Sequence, residues 1–201
     1  MKLAATMELY AYWNGLRGAR SAPERNDIDP SAIRSVLADT FVLDFEVGGG
    51  YPFRIAGSRA NALFLRELRG FSFLELWRDA DRQDIGSILH CVADEAQPIV
   101  IGAEARPPGL AAVDVEIILL PLRHHGMTHS RILGGIAVQA APYWLGLVGA
   151  GQVSLTSLRA IESPSAAAQE LDAAAQAGFS VRQTAKRYKH LFVYSRDGRA
   201  T

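Results

Sequence analysis

The stretch Thr40–Gly57, TFVLDFEVGGGYPFRIAG, leaves the chain few ways to fold. Phe41, Leu43, Phe45 and Val47 are apolar at a period of two, while Thr40, Asp44 and Glu46 fall on the other face. That alternation marks a strand buried on one side. Gly48, Gly49 and Gly50 interrupt it, because glycine alone adopts positive φ freely. Tyr51, Phe53 and Ile55 restart the alternation, so the segment reads as a hairpin. Ser58 is placed to cap a following helix with Ala60, Leu63 and Phe64 on its apolar side. A phosphate-binding loop is a poor reading of the glycines. No Gly-Lys-Ser/Thr follows them, and a strand comes next where that loop needs a helix.

On either side of the hairpin the pattern is helical. Leu3, Met7, Tyr10, Trp13 and Leu16 recur at spacings of three and four, predicting an amphipathic helix over residues 3–16. Such a stripe packs on its own domain or pairs with a second copy, since apolar surface has to be covered. Asp29-Pro30 opens a second helix carrying Ile33, Val36 and Leu37. Arg17, Arg20, Arg25 and Arg34 make this region basic, read as a solvated surface. After the hairpin, FSFLELW is compact and aromatic. A full helix follows, with Ile85, Ile88, Leu89 and Val92 at i, i+3, i+4 and i+7, and Pro98 bars its continuation. Three strands come next. Ile99, Ile101, Ala103 and Ala105 alternate in the first. Val113, Val115, Ile117 and Leu119 oppose Asp114 and Glu116 in the second. RILGGIAVQAA is the third, and its Gly134-Gly135 pair marks a bend or a close backbone approach. No βαβ alternation appears, so the expected fold is α+β: a five-stranded antiparallel sheet with helices on one face. Residues 1–38 form an N-terminal helical extension to the 39–141 core. Residues 142–201 form a C-terminal extension with an alanine-rich helix from Ser163 to Gly178 and a basic end containing HLFVYS as an extra strand.

The bulk composition narrows the function classes. With 201 residues the chain suits one domain plus extensions, and the 21 basic and 21 acidic residues cancel. Nothing global recommends nucleic acid or an anionic membrane as a partner. The single cysteine, Cys91, excludes an internal disulfide. There is no apolar run near the ~20 residues that span a bilayer. The N-terminus lacks the apolar stretch of a secretory signal, so the cytoplasm is the expected compartment.

The element order resembles that of a PAS domain: two strands, a run of short helices ending in a longer one, then three strands, over residues 39–141. The likeness sharpens locally. The segments YWNGLRGAR, IDPSAIRSVL, FRIAGSR, LFLREL and LELW are similar to a bacterial single-domain PAS family of the PAS_5 type, formerly of unknown function, over roughly residues 10–141. The resemblance implies a sensory or regulatory signal-transduction module. Such modules bind small ligands between the sheet and the helices, pair as homodimers through flanking helices and act through contacts with a regulatory protein partner. By residue direction, a pocket of that kind is lined here by Phe53, Ile55, Phe71, Leu74, Trp77, Leu89, Ile101, Ile117 and Ala137. The plainer reading of the same side chains is a filled core. Leu3, Met7, Tyr10 and Trp13 form the expected dimer face.

No cofactor is specified. Haem needs an axial ligand inside the pocket. His90 lies roughly 150° from the centre of the apolar stripe of its helix and points to solvent. The histidine that holds haem in such relatives falls near Ile85 here. Photoactive flavin relatives carry an Asn-Cys-Arg-Phe type motif, which is absent, and Cys91 stands elsewhere. His124, His125 and His129 cluster in a hairpin loop with no acidic residue or cysteine beside them, which favours a solvated turn over zinc. Glu75, Asp79, Asp81 and Asp84 sit near helix starts, where acids serve the dipole. Ser58 and Ser72 have no histidine nearby in sequence, so the chain is read as a non-enzyme. The alternatives are a ligand-free adaptor using its sheet or basic tail, and a small α+β enzyme with a helix-over-sheet cavity.

Overall fold

The computed structural model describes residues 1–46, 50–124 and 127–161, with the side chains of 124 and 127–130 left aside. The tip of the glycine hairpin, the alanine-rich helix and the basic end with HLFVYS lie outside the described residues.

The chain forms α1 (Ala4–Arg17), β1 (Thr40–Asp44), β2 (Phe53–Ala56), α2 (Ser58–Phe64), α3 (Arg82–Asp94), β3 (Ile99–Ala105), β4 (Val113–His124), β5 (Met127–Val138) and β6 (Val153–Ala160). The strands make one six-stranded sheet in the order β2-β1-β5-β4-β3-β6, and every neighbouring pair is antiparallel. The α+β class expected from the pattern is thus the observed one, with one strand more. That strand, VSLTSLRA, lies in a stretch read above as a small-residue connector. It pairs along the whole of β3, while Trp144, Ala150 and Val153 enter the main core. The boundary expected at residue 142 therefore does not divide the described fold.

Helices cover both faces rather than one. The first face carries Phe41, Leu43, Ile101, Ile117, Leu119 and Ile136, which pack against α2 and α3 through Leu63, Ile85, Ile88, Leu89 and Val92. The second carries Val100, Ile118, Leu120, Leu122 and Leu133, which pack against Leu9 and Trp13 of α1 and against Ile33 and Val36. The N-terminal helix is therefore bound to its own sheet. Its buried residues are Thr6, Leu9, Trp13 and Arg17, about one position round from the expected stripe, and Met7 stays exposed. The helix predicted from Asp29-Pro30 is instead two separate 3-10 turns, Pro30–Ile33 and Leu37–Asp39. Asp29 caps the first as expected, its carboxylate accepting from the Ser31 amide at 2.8 Å.

No side chain caps α1 locally. The cap comes from the sheet. The Glu116 carboxylate accepts from the amide of Lys2 at 2.8 Å and of Leu3 at 3.1 Å, and from the Thr6 hydroxyl. An anion at a helix N-terminus satisfies orphan donors and opposes the helix dipole. Two turns on, the Trp13 indole donates to the Pro121 carbonyl at 2.8 Å, and the Arg17 guanidinium lies over the Trp13 ring, 5.5 Å from its centroid. In β5, a Cβ on Gly134 would come within 2.1 Å of the Phe41 ring, so the expected close approach is real and sits across the β1–β5 pair.

Glu116→Ala leaves the first turn of α1 uncapped and costs about 2 kcal/mol, the scale of hydrogen bonds to a charged group. Urea unfolding checks this, and an unchanged midpoint refutes the cross-sheet cap.

Candidate functional site

The interior between sheet and helices gathers part of the expected lining. Phe53, Trp77, Leu89, Ile101 and Ile117 are all buried in one core cluster, and Leu74 is half-buried against it. Aromatic rings occupy the centre. Phe41 lies 5.3 Å from Phe53 and 5.6 Å from Phe73, and Phe73 lies 5.9 Å from Trp77, centroid to centroid. These are ordinary aromatic packing distances. One polar atom in this interior is left over: the Trp77 Nε1 is buried and has no hydrogen-bond partner.

Three expected lining residues lie elsewhere. Ile55 is 54% exposed. Val42 pairs with Ile55 but Leu43 pairs with Phe53, so β2 carries Arg54 as an extra residue. A bulge of that kind reverses the alternation beyond it and turns Ile55 to the second face. Phe71 is 41% exposed, with the Arg66 guanidinium 4.6 Å over its ring. Its backbone carbonyl is what serves the fold, accepting from Phe53 at 2.9 Å along the outer edge of β2. Ala137 alternates with Ile136 and so shares the α1 side of the sheet with Gly135, where a Cβ would meet Leu9. Ser58 is not the cap of α2; Gly57 holds that place.

On α3, the half-exposed His90 meets the Tyr51 hydroxyl at 2.7 Å through Nε2, with Asp94 3.7 Å from Nδ1. Burial, then the Asp94 charge, raises the Tyr51 phenol above its usual value. This chain of groups thus holds no activated phenolate at neutral pH. Cys91 is similarly quiet. Burial first, and then the Glu95 carboxylate, pushes its thiol up to about 11. Among the described residues no group of three or more His, Cys, Asp or Glu is placed to hold a metal. The side chains of His124, His125 and His129 lie outside the described set.

A second region was missed by sequence reasoning. Arg59 of α2 grips Asp39, its Nε donating to Oδ1 at 2.6 Å and Nη2 reaching Oδ2. Nη2 also donates to the Ser35 carbonyl at 3.2 Å. Asp39 is 8% exposed, and its hydrogen bond raises the Arg59 guanidinium above its usual range. Gly57 makes the reach possible: a Cβ there would stand 2.3 Å from the Ala38 carbonyl oxygen. The Gly-Ser-Arg of FRIAGSR is thus a close crossing followed by a clamp. Beside the clamp opens a cleft of about 370 Å³, walled by Leu3, the N-cap just before α1, by Ala4 and Ala5 of α1, Leu63 of α2, and Ala137, Val138 and Leu145 at and beyond the end of β5.

An antiparallel six-stranded sheet with short helical turns, α2 and the longer α3 packed on its first face defines the class as an α+β domain. The sequence profile described as PAS domain, of the PAS_5 type, matches residues 1–137. The chain belongs to this PAS domain family. No curated protein is matched by the sequence. Among solved structures, the chain is similar to a LOV protein of Rhodobacter sphaeroides at 11% identity and a TM-score of 0.42, covering 52% of this chain and 60% of that one. The match thus spans less than two thirds of that protein. No helix among the described residues is long and apolar enough to cross a membrane.

Two outcomes follow from this geometry. Iodoacetamide alkylates Cys91 at pH 8 on the order of a hundredfold more slowly in the folded chain than in urea, and the folded rate keeps rising towards pH 11. Equal rates contradict the raised thiol. Gly57→Ala forces Ala38 away and costs about 3 kcal/mol in urea unfolding; a neutral result contradicts the close crossing.

Proposed function

We propose that the chain is a sensory or regulatory PAS module of the cytoplasm, without catalytic activity, that binds a small ligand between sheet and helices and signals by protein contact. Membership of the family supports the regulatory role. The observation that carries the ligand is the Trp77 indole N–H, which is buried and unpaired. A buried donor left without a partner costs about 1–3 kcal/mol, and a ligand acceptor at that point recovers it. The ring of Phe73 packs against Trp77 and that of Phe53 against Phe73, and these rings have to shift to admit a ligand. The ligand on this reading is small, flat and bears a hydrogen-bond acceptor.

Pairing runs through the outer side of α1. Met7 is 45% exposed there, and Leu3 and Tyr10 are half-buried at i−4 and i+3 from it. Trp13 drops out of the expected dimer face because its ring is fully enclosed by its own sheet. A regulatory protein partner then reads the state of the module.

The ligand-free adaptor is the second reading, and the close ring packing of the interior favours it. Native mass spectrometry of the full chain separates the two. The expected result is a dimer with a bound small molecule, monomeric in Met7→Glu. Adding that molecule to stripped protein moves the Trp77 signal among the three indole N–H resonances. A bare mass and an immobile Trp77 signal refute the ligand while leaving the fold intact.

A further inference from the structure

We infer that the cleft at the end of β5 is a separate binding site for an apolar monocarboxylate. Its origin lies in strand lengths. Pairing of β1 with β5 ends at Thr40–Gly135, but β5 continues to Val138. Beyond Gly135, β5 therefore has β4 on one side and no strand on the other. The gap is bordered by Leu3 and the start of α1, by α2 and by the loop after β5.

The cleft has the makings of an amphiphile site. Its volume of about 370 Å³ lies within the roughly 300–1,000 Å³ range of small-molecule pockets. Its walls are apolar: Leu3, Ala4, Ala5, Leu63, Val138 and Leu145. Its polar groups are few. Both Asp39 oxygens are taken by Arg59. Arg59 uses Nε and Nη2 for Asp39 and Ser35, and its Nη1 makes no hydrogen bond to any described residue. The side chain is 54% exposed, so Nη1 is within reach of a ligand. Gln139 adds a side-chain amide at the cleft.

Charge complementarity selects the occupant. Asp39 holds the guanidinium at a fixed place and balances its charge, while the Nη1 N–H pair is left to donate to a ligand in the cleft. A carboxylate there forms charge-assisted hydrogen bonds, about twice as strong as those of a neutral acceptor. The alkyl part of the same molecule covers the alanine and leucine walls and removes them from water. A neutral amphiphile loses the charged contact, and a cationic one finds both Asp39 oxygens already taken by Arg59. This site is distinct from the interior around Trp77, and it stands whether or not that interior takes a ligand.

Octanoate, octanol and octylamine, titrated into the full chain with methyl-labelled alanine and leucine, test the assignment by NMR. Octanoate is expected to shift the methyls of Ala5, Ala137 and Leu145, and to bind at least about tenfold more tightly than octanol or octylamine. Two variants separate binding from folding. Ala4→Phe narrows the cleft from an exposed wall position and abolishes the octanoate shifts. Arg59→Gln combined with Asp39→Asn removes the cation without leaving a buried unpaired charge, and brings octanoate down to the level of octanol. The inference is overturned if octanoate and octanol bind alike, if the paired variant keeps the preference, or if the cleft methyls stay still. It is also overturned if octanoate moves only the Trp77 indole, a result that supports the interior site instead.

Discussion

The two central strands are apolar on both faces, and the architecture follows from that. Ile117 and Leu119 of β4 point to the helices on the first face, while Ile118, Leu120 and Leu122 point to the second. A sheet with such strands cannot leave either side in water, because each exposed Ile or Leu forgoes about 1.5–3 kcal/mol of burial. The second layer comes from α1 and the 3-10 turns that follow it. Glu116 fixes where α1 begins, and the Trp13 hydrogen bond to Pro121 fixes how it lies along β4. What counts as an extension in sequence is therefore a layer of the domain, and Met7 on the outer side of α1 stays exposed.

Two regions of the fold differ in how they meet a guest molecule. Between sheet and first-face helices the space is taken by side chains, and the Trp77 N–H is the one buried side-chain donor among the described residues that finds no acceptor. At the end of β5 a cleft opens where pairing with β1 stops, and the paired Arg59 and Asp39 line it. The first region can take a ligand only by moving rings. The second needs no rearrangement, since its walls are already in place. Both depend on the same hairpin: β2 runs from Phe53 in the interior to Ala56, Gly57 follows it as the cap of α2, and Arg59 stands two residues beyond Gly57.

Much of this was legible in the residues. The alternation in β1, the stripe of α3 and the three later strands follow from side-chain periodicity, and the β1–β2 hairpin follows from the glycines that interrupt its alternation. The misses have specific causes. Ile55 kept the period-two pattern, but the bulge at Arg54 is a property of pairing with β1 and leaves no mark in β2 itself. The run Ile117–Leu122 carried the signal of a strand buried on both faces. Asp114 and Glu116 drew the reading towards a wet face instead, although Glu116 faces a helix N-terminus. Ser72 and Glu75 form a capping box around the 3-10 turn Phe73–Leu76, a short motif visible in the sequence and passed over. β6 was hidden because glycines dominate the stretch before it, and its residues alternate weakly.

The residue order by itself determined the kind of elements and the family, since periods of two and 3.6 and the segments around FRIAGSR are local properties of the chain. Tertiary structure decided which side of the sheet each element covers, where pairing ends and which donor is left over. Those outcomes depend on strand register and on contacts between residues far apart, such as Glu116 with Lys2 and Arg59 with Asp39, and no local window contains both partners.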